Sequence, residues 1–164
     1  MIRRPPRSTQ GVSSAASDVY KRQAVFSADW DVTMVGLDVT EKTLCTPDDF
    51  ARLAESAPVI GGFLEQTSRF YFDFHEAKTG KRSCFMHDPC AVIAVTDPDL
   101  FGYEQHPITV VCSGSEIGRT VIDPKADRRS TQIAMTVDSK AVGEIFMRYV
   151  AAADHMADAR KNMA

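Results

Sequence analysis

The chain has 164 residues, 44% of them hydrophobic and 25% charged, which gives room for a domain with its own core and the composition of an ordinary globular protein. No apolar run approaches the roughly 18 residues that a membrane-spanning helix requires. The formal net charge of −3 supplies no excess of basic residues for nucleic acid or an anionic membrane.

Residues 1–23, MIRRPPRSTQGVSSAASDVYKRQ, lack a hydrophobic period and carry several helix breakers. Alone, the segment would suit a disordered basic arm or an Arg/Ser-rich transit peptide. Met1–Thr9 and Ser13–Gln23, however, match in-frame translations of a sequencing flow-cell adapter and a transposase adapter, and Gln10–Val12 cover an index between them. The segment is therefore expected to be foreign, disordered and packed against nothing. The biological sequence is expected to begin near Ala24, in mid-gene, with the native N-terminus and any targeting signal lost. Setting aside Arg3, Arg4, Arg7, Lys21, Arg22 and Asp18 takes the net charge from −3 to −7.

From Ala24 onward the elements follow in order. Val32–Val39 (VTMVGLDV) is a nearly continuous, β-branched apolar run, which predicts a buried strand of a parallel sheet. Thr46-Pro47-Asp48-Asp49 starts a helix, with Thr as N-cap, Pro at the first helical position and acids in the first turn; it should reach about Ser56. Pro58 opens a longer helix to about Ala77, followed by a basic loop over Lys78–Arg82. His87-Asp88-Pro89 begins another helix, Cys90–Thr96, stopped by Asp97-Pro98. Ile108–Cys112, Thr120–Ile122 and Ile133–Val137 read as short strands between Gly, Pro and Asp turns, and Ser139 to about Met156 as a closing amphipathic helix. The order predicts an α/β layer protein with too few parallel strands for a complete sheet.

Cys45, Cys84, Cys90 and Cys112 form no C-x-x-C pair, so isolated reduced thiols, some in the core, are expected. On bare physics Asp88-Pro89 is first a capping device, and Asp97-Pro98-Asp99 the next turn. His106 and His155 read as solvated.

Two stretches change the weighting. HDPCAVIAVTDPDLF, from His87 to Phe101, resembles the HDP-x-A-V-x-A-x-x-DP-x-L-F segment of the inosine-uridine preferring nucleoside hydrolases. Ala28–Thr40 (ADWDVTMVGLDVT) is similar to that family's W-x-V-T-M-V-G-L-D-V-T strand. The resemblance implies the C-terminal part of an open, mostly parallel, Rossmann-like sheet, here as one domain over residues 24–164. It also implies hydrolysis of the N-glycosidic bond of purine or pyrimidine ribonucleosides through an oxocarbenium-like state. Calcium would activate the water and grip the ribose, and a histidine would neutralise the departing base. Carried over residue by residue, His87 is the proton donor to the base, or at least its hydrogen-bond partner, and Asp88 a calcium-ligating carboxylate. Tyr71 and His75, at i and i+4 on one helix face, are then either contacts to the base or a merely packed or surface pair.

The partner implied is a nucleoside, with no nucleic acid and no membrane, in a cytoplasmic and often homo-oligomeric parent. The family's D-x-D-x-x-x-D-D cluster and its F-N element do not occur in this sequence. Hydrolysis is thus expected of the full-length parent, and this chain alone is expected to be inactive. Two rivals remain: a non-enzymatic nucleoside- or ribose-binding module, and an HD-type metal-dependent phosphohydrolase, which the Pro after the doublet and the flanking strands disfavour.

Overall fold

The computed structural model describes residues 19–161. The chain clusters into two compact units, one of residues up to Thr33 with Glu104–Ile133, the other of Met34–Tyr103 with Ala134 onward. In chain order the elements are α1 (Val19–Ser27), β1 (Thr33–Val35), α2 (Leu37–Thr40), β2 (Leu44–Cys45), α3 (Pro47–Ser56), α4 (Ile60–Thr79) and β3 (Cys84–Phe85). They continue with α5 (His87–Thr96), a 3-10 turn at Pro98–Leu100, β4 (Phe101–His106), β5 (Ile108–Val110), β6 (Thr120–Ile122), β7 (Thr131–Val137) and α6 (Ser139–Lys161). The strands form a three-stranded sheet in the order β1-β7-β4 and two ribbons, β2-β3 and β5-β6, both antiparallel.

In the first unit, β5 and β6 pair with Thr109 opposite Val121. Residues 19–23, expected to be disordered, are helical in α1, and the Gln23 side-chain carbonyl accepts a hydrogen bond from Val110 N–H at 2.8 Å. That main-chain donor on the ribbon gives the middle of the helix an anchor the sequence does not show. No residue of α1 is buried, and Tyr20 is 73% exposed. Residues 1–18 of the same segment lie outside the described residues. His106 Nε2 meets Glu104 Oε2 at 2.7 Å near the surface.

The second unit holds the candidate residues. Here the expected strand Val32–Val39 is corrected. It stops at Val35, and Leu37–Thr40 close a helical turn with Val39 N–H and Thr40 N–H both donating to Gly36 O. A short β-branched apolar run serves a strand or a buried turn equally well, and here Val39 is buried as part of the turn. The helix start at Thr46 is a full capping box: Thr46 Oγ1 accepts from Asp49 N–H, and the Asp49 carboxylate accepts from Thr46 N–H. α4 begins at Ile60 rather than Pro58, where the buried Asp154 of α6 accepts from Ile60 N–H. α4 runs past Ala77 to Thr79, and Gly80 ends it at φ 72°, a left-handed cap that glycine adopts without strain.

α3 packs on α4 through Phe50 and Phe72, whose rings meet edge-on at 5.6 Å. Gly61 permits that approach, since a Cβ there would lie 2.5 Å from Leu53 O. The core adds Val39, Cys45, Cys84, Met86, Cys90 and Ile93. Cys45 and Cys84 are not isolated, because they stand opposite each other across β2-β3 as free thiols. Burial comes first in pushing their pKa values up, to about 12 and about 11. β4 was missed in the sequence, and its burial alternates only weakly. No helix among the described residues is long and apolar enough to cross a membrane.

Candidate functional site

The site grows from the start of α5. β2 and β3 align Leu44 with Phe85, and Met86 N–H donates to Thr43 O at 3.0 Å, so the segment entering α5 is tied to the segment leaving α2. Met86 is the N-cap residue and makes no side-chain cap bond. Asp88 lies in the first turn, exposed, where its charge suits the positive helix end.

His87 is half-buried, and its Nδ1 lies 2.7 Å from Thr40 Oγ1. Thr40 itself is 2% exposed. The His87 ring continues into a string of edge-on and tilted aromatic contacts. It lies 5.4 Å from Phe85, Phe85 lies 4.6 Å from His75, and His75 lies 5.0 Å from Tyr71. The four residues expected to act together are therefore neighbours: Tyr71 and His75 share a face of α4, Phe85 bridges them to His87, and Asp88 follows on α5. His75 is 8% exposed, and its Nδ1 has no hydrogen-bond partner among the described residues. A buried ring nitrogen without a partner is a costly feature that a bound polar group would relieve. Asp38 folds its carboxylate back over Gly36.

Electrostatics tie these groups further. Burial pushes the His87 pKa below the ordinary histidine value, and His75 adds to the lowering, while Glu41 and Asp88 act in the opposite direction. Burial also raises the Tyr71 pKa, with Cys84 and Asp88 contributing. The Asp88 charge is thus felt by both Tyr71 and His87. Phe85 and the Thr40 contact escaped the residue-by-residue reading. The available signals were position alone, since Phe85 precedes His87 by two residues and Thr40 closes the other matched stretch. His155 is exposed on α6 and takes no part.

Calcium is the ion the resemblance implies. Among the described residues no group of three or more His, Cys, Asp or Glu side chains converges to hold a metal. Calcium takes about six to eight oxygens, so a single carboxylate at Asp88 does not fit it.

Comparison with known proteins gives consistent relatives. The family model described as inosine-uridine preferring nucleoside hydrolase matches residues 16–144. The chain is 33% identical over 118 residues to the inosine-uridine preferring nucleoside hydrolase of Crithidia fasciculata, which covers 70% of this chain and 38% of that protein. It is 36% identical over 121 residues to the protein of the same description from Leishmania major, covering 70% of this chain and 37% of that one. Among solved structures, the purine-preferring ribonucleoside hydrolase from Gardnerella vaginalis superposes with a TM-score of 0.78 at 27% identity, over 87% of this chain and 46% of that one. The chain thus spans well under two thirds of the length of each relative.

Proposed function

The chain belongs to the inosine-uridine preferring nucleoside hydrolase family, and on that premise we propose that it carries the leaving-base side of a site that hydrolyses the N-glycosidic bond of ribonucleosides. The observation that carries this reading is the contact string from Tyr71 through His75 and Phe85 to His87, which sets the residues expected at the base side by side. Departure of a nucleobase as its anion is slow, and a hydrogen-bond or proton donor at the base lowers that barrier. His87 fills this role. Its burial disfavours the protonated ring, so it serves as a neutral hydrogen-bond donor to the charge that builds on the base. Tyr71 and His75 contact the departing base, and the unpartnered His75 Nδ1 is suited to a polar group on it. Asp88 is the one carboxylate of this group, offered to calcium in the complete enzyme. The residues present do not hold the ion, so no step in this chain runs through it.

The same observation favours a second reading for the chain on its own, that it binds a base or nucleoside without cleaving it. One experiment addresses both. The 15N-labelled chain is titrated with hypoxanthine and with uracil, and ribose release from inosine and uridine is followed with calcium present. Joint shifts of the His87, His75 and Tyr71 signals with no ribose released fit the proposal. Shifts confined to residues outside this string contradict it.

A further inference from the structure

Thr40 has a buried hydroxyl with one hydrogen-bond partner among the described residues, His87 Nδ1 at 2.7 Å. Both sides of this contact are fixed by main chain. Thr40 N–H donates to Gly36 O, and Thr40 O accepts from Thr43 N–H. Thr43 O then accepts from Met86 N–H, one residue before His87, and β2 pairs with β3 immediately beyond. The two side chains therefore meet because the backbone places them there.

The direction of the bond follows from the surroundings of Thr40. A neutral imidazole has one N–H and one bare nitrogen, and a hydroxyl can donate or accept. Were Nδ1–H to donate to Oγ1, the hydroxyl proton of a residue that is 2% exposed would have no acceptor among the described residues. A buried donor left unmade is the costly arrangement. With Oγ1–H donating to Nδ1, the hydroxyl proton is used and Nδ1 is the bare nitrogen. The ring proton then resides on Nε2.

We infer that Thr40 is a positioning residue for His87: it donates to Nδ1, holds the ring in the Nε2–H tautomer, and so readies Nε2–H to donate to a ring nitrogen or carbonyl of a leaving nucleobase. The final step rests on the proposed function above, whereas the tautomer stands on the geometry of this chain. A threonine contributing only packing would leave the tautomer unchanged when its hydroxyl is exchanged for a methyl group.

The test reads the tautomer directly. Long-range 1H–15N spectra of the histidine-labelled chain are recorded at about pH 8, where histidine rings are neutral. The expected wild-type pattern is an unprotonated, pyridine-type Nδ1 and a protonated Nε2 at His87. Thr40→Ser should retain it. Thr40→Val should lower the Nε2–H to Nδ1–H ratio by about fivefold, the factor that one ordinary hydrogen bond is worth. A wild-type spectrum with the proton on Nδ1 overturns the inference, and this arm stands even where Thr40→Val fails to fold. A folded Thr40→Val chain with the wild-type pattern overturns it as well. The spectra require neither substrate nor turnover. A chain that shows the Nε2–H tautomer, lost in Thr40→Val, but whose His87, His75 and Tyr71 signals do not shift with hypoxanthine or uracil supports the role of Thr40 while counting against that of His87 at the base.

Discussion

At the residue scale, His87 is the group whose behaviour is most constrained. Its folded pKa is lowered, chiefly by burial, from the ordinary histidine value of 6.5. The unfolded chain therefore takes up this proton first as pH falls. The sign follows: the stability contribution is intact above the unfolded value near 6.5 and declines as pH drops from there toward the folded value. An NMR titration should place the His87 midpoint below that of an unstructured histidine. Acidification from about pH 7 to pH 5 should lower the melting temperature of the wild type more than that of His87→Gln. A His87 midpoint above the unstructured value contradicts the burial described here. The thiols give a second check. Cys45 and Cys84 are buried, with pKa values pushed to about 12 and about 11, so both should resist iodoacetamide in the native chain at about pH 8. The half-buried Cys112 should be alkylated first, as read by mass spectrometry of the digested protein.

At the element scale, two helix starts show what a sequence makes visible. The capping box at Thr46 uses Asp49 three residues on, and both members can be read from local spacing. α4 is capped instead by Asp154, 94 residues away in sequence and 3% exposed. No local pattern announces that partner, so the sequence alone points to Pro58. Thr46→Ala should cost about 1 kcal/mol of unfolding free energy in denaturant titrations. Asp154→Ala should cost about 1–3 kcal/mol, because it strands a partly buried N–H. Equal and negligible losses would contradict the assigned roles. The Val32–Val39 run failed as a strand for a related reason. Apolar β-branched residues report burial, and burial alone does not separate a strand from a tight turn at Gly36. α5, by contrast, was legible at both ends from His87-Asp88-Pro89 and Asp97-Pro98. Helix α1 crosses the expected boundary at Ala24, yet buries no residue. Gln23→Ala should lower the melting temperature only slightly, through loss of the bond to Val110.

At the scale of the whole molecule, the matched motifs carried the family and most of the proposed site, and the fold supplied the neighbours that connect its residues. Tyr71, His75 and His87 were each visible as residue types, but Phe85 became part of the site only through β3, and Thr40 only through the turn at α2. Calcium was the one implied component that the described residues do not accommodate. Calcium at millimolar concentration should therefore leave the melting temperature of this chain unchanged, since an ion that does not bind the folded state adds no stability. A rise that Asp88→Asn abolishes would show that Asp88 binds the ion without further carboxylates. The most direct measurement uses a chimera in which the matching stretch of this chain replaces the aligned 118 residues of the Crithidia fasciculata relative. The chimera should release ribose from inosine or uridine, and His87→Ala in it should lower kcat by about 10²–10³-fold, the usual range for loss of a hydrogen-bond donor at a developing anion. A folded chimera whose turnover is indifferent to His87→Ala would contradict the assignment of this chain to the leaving-base side of the site.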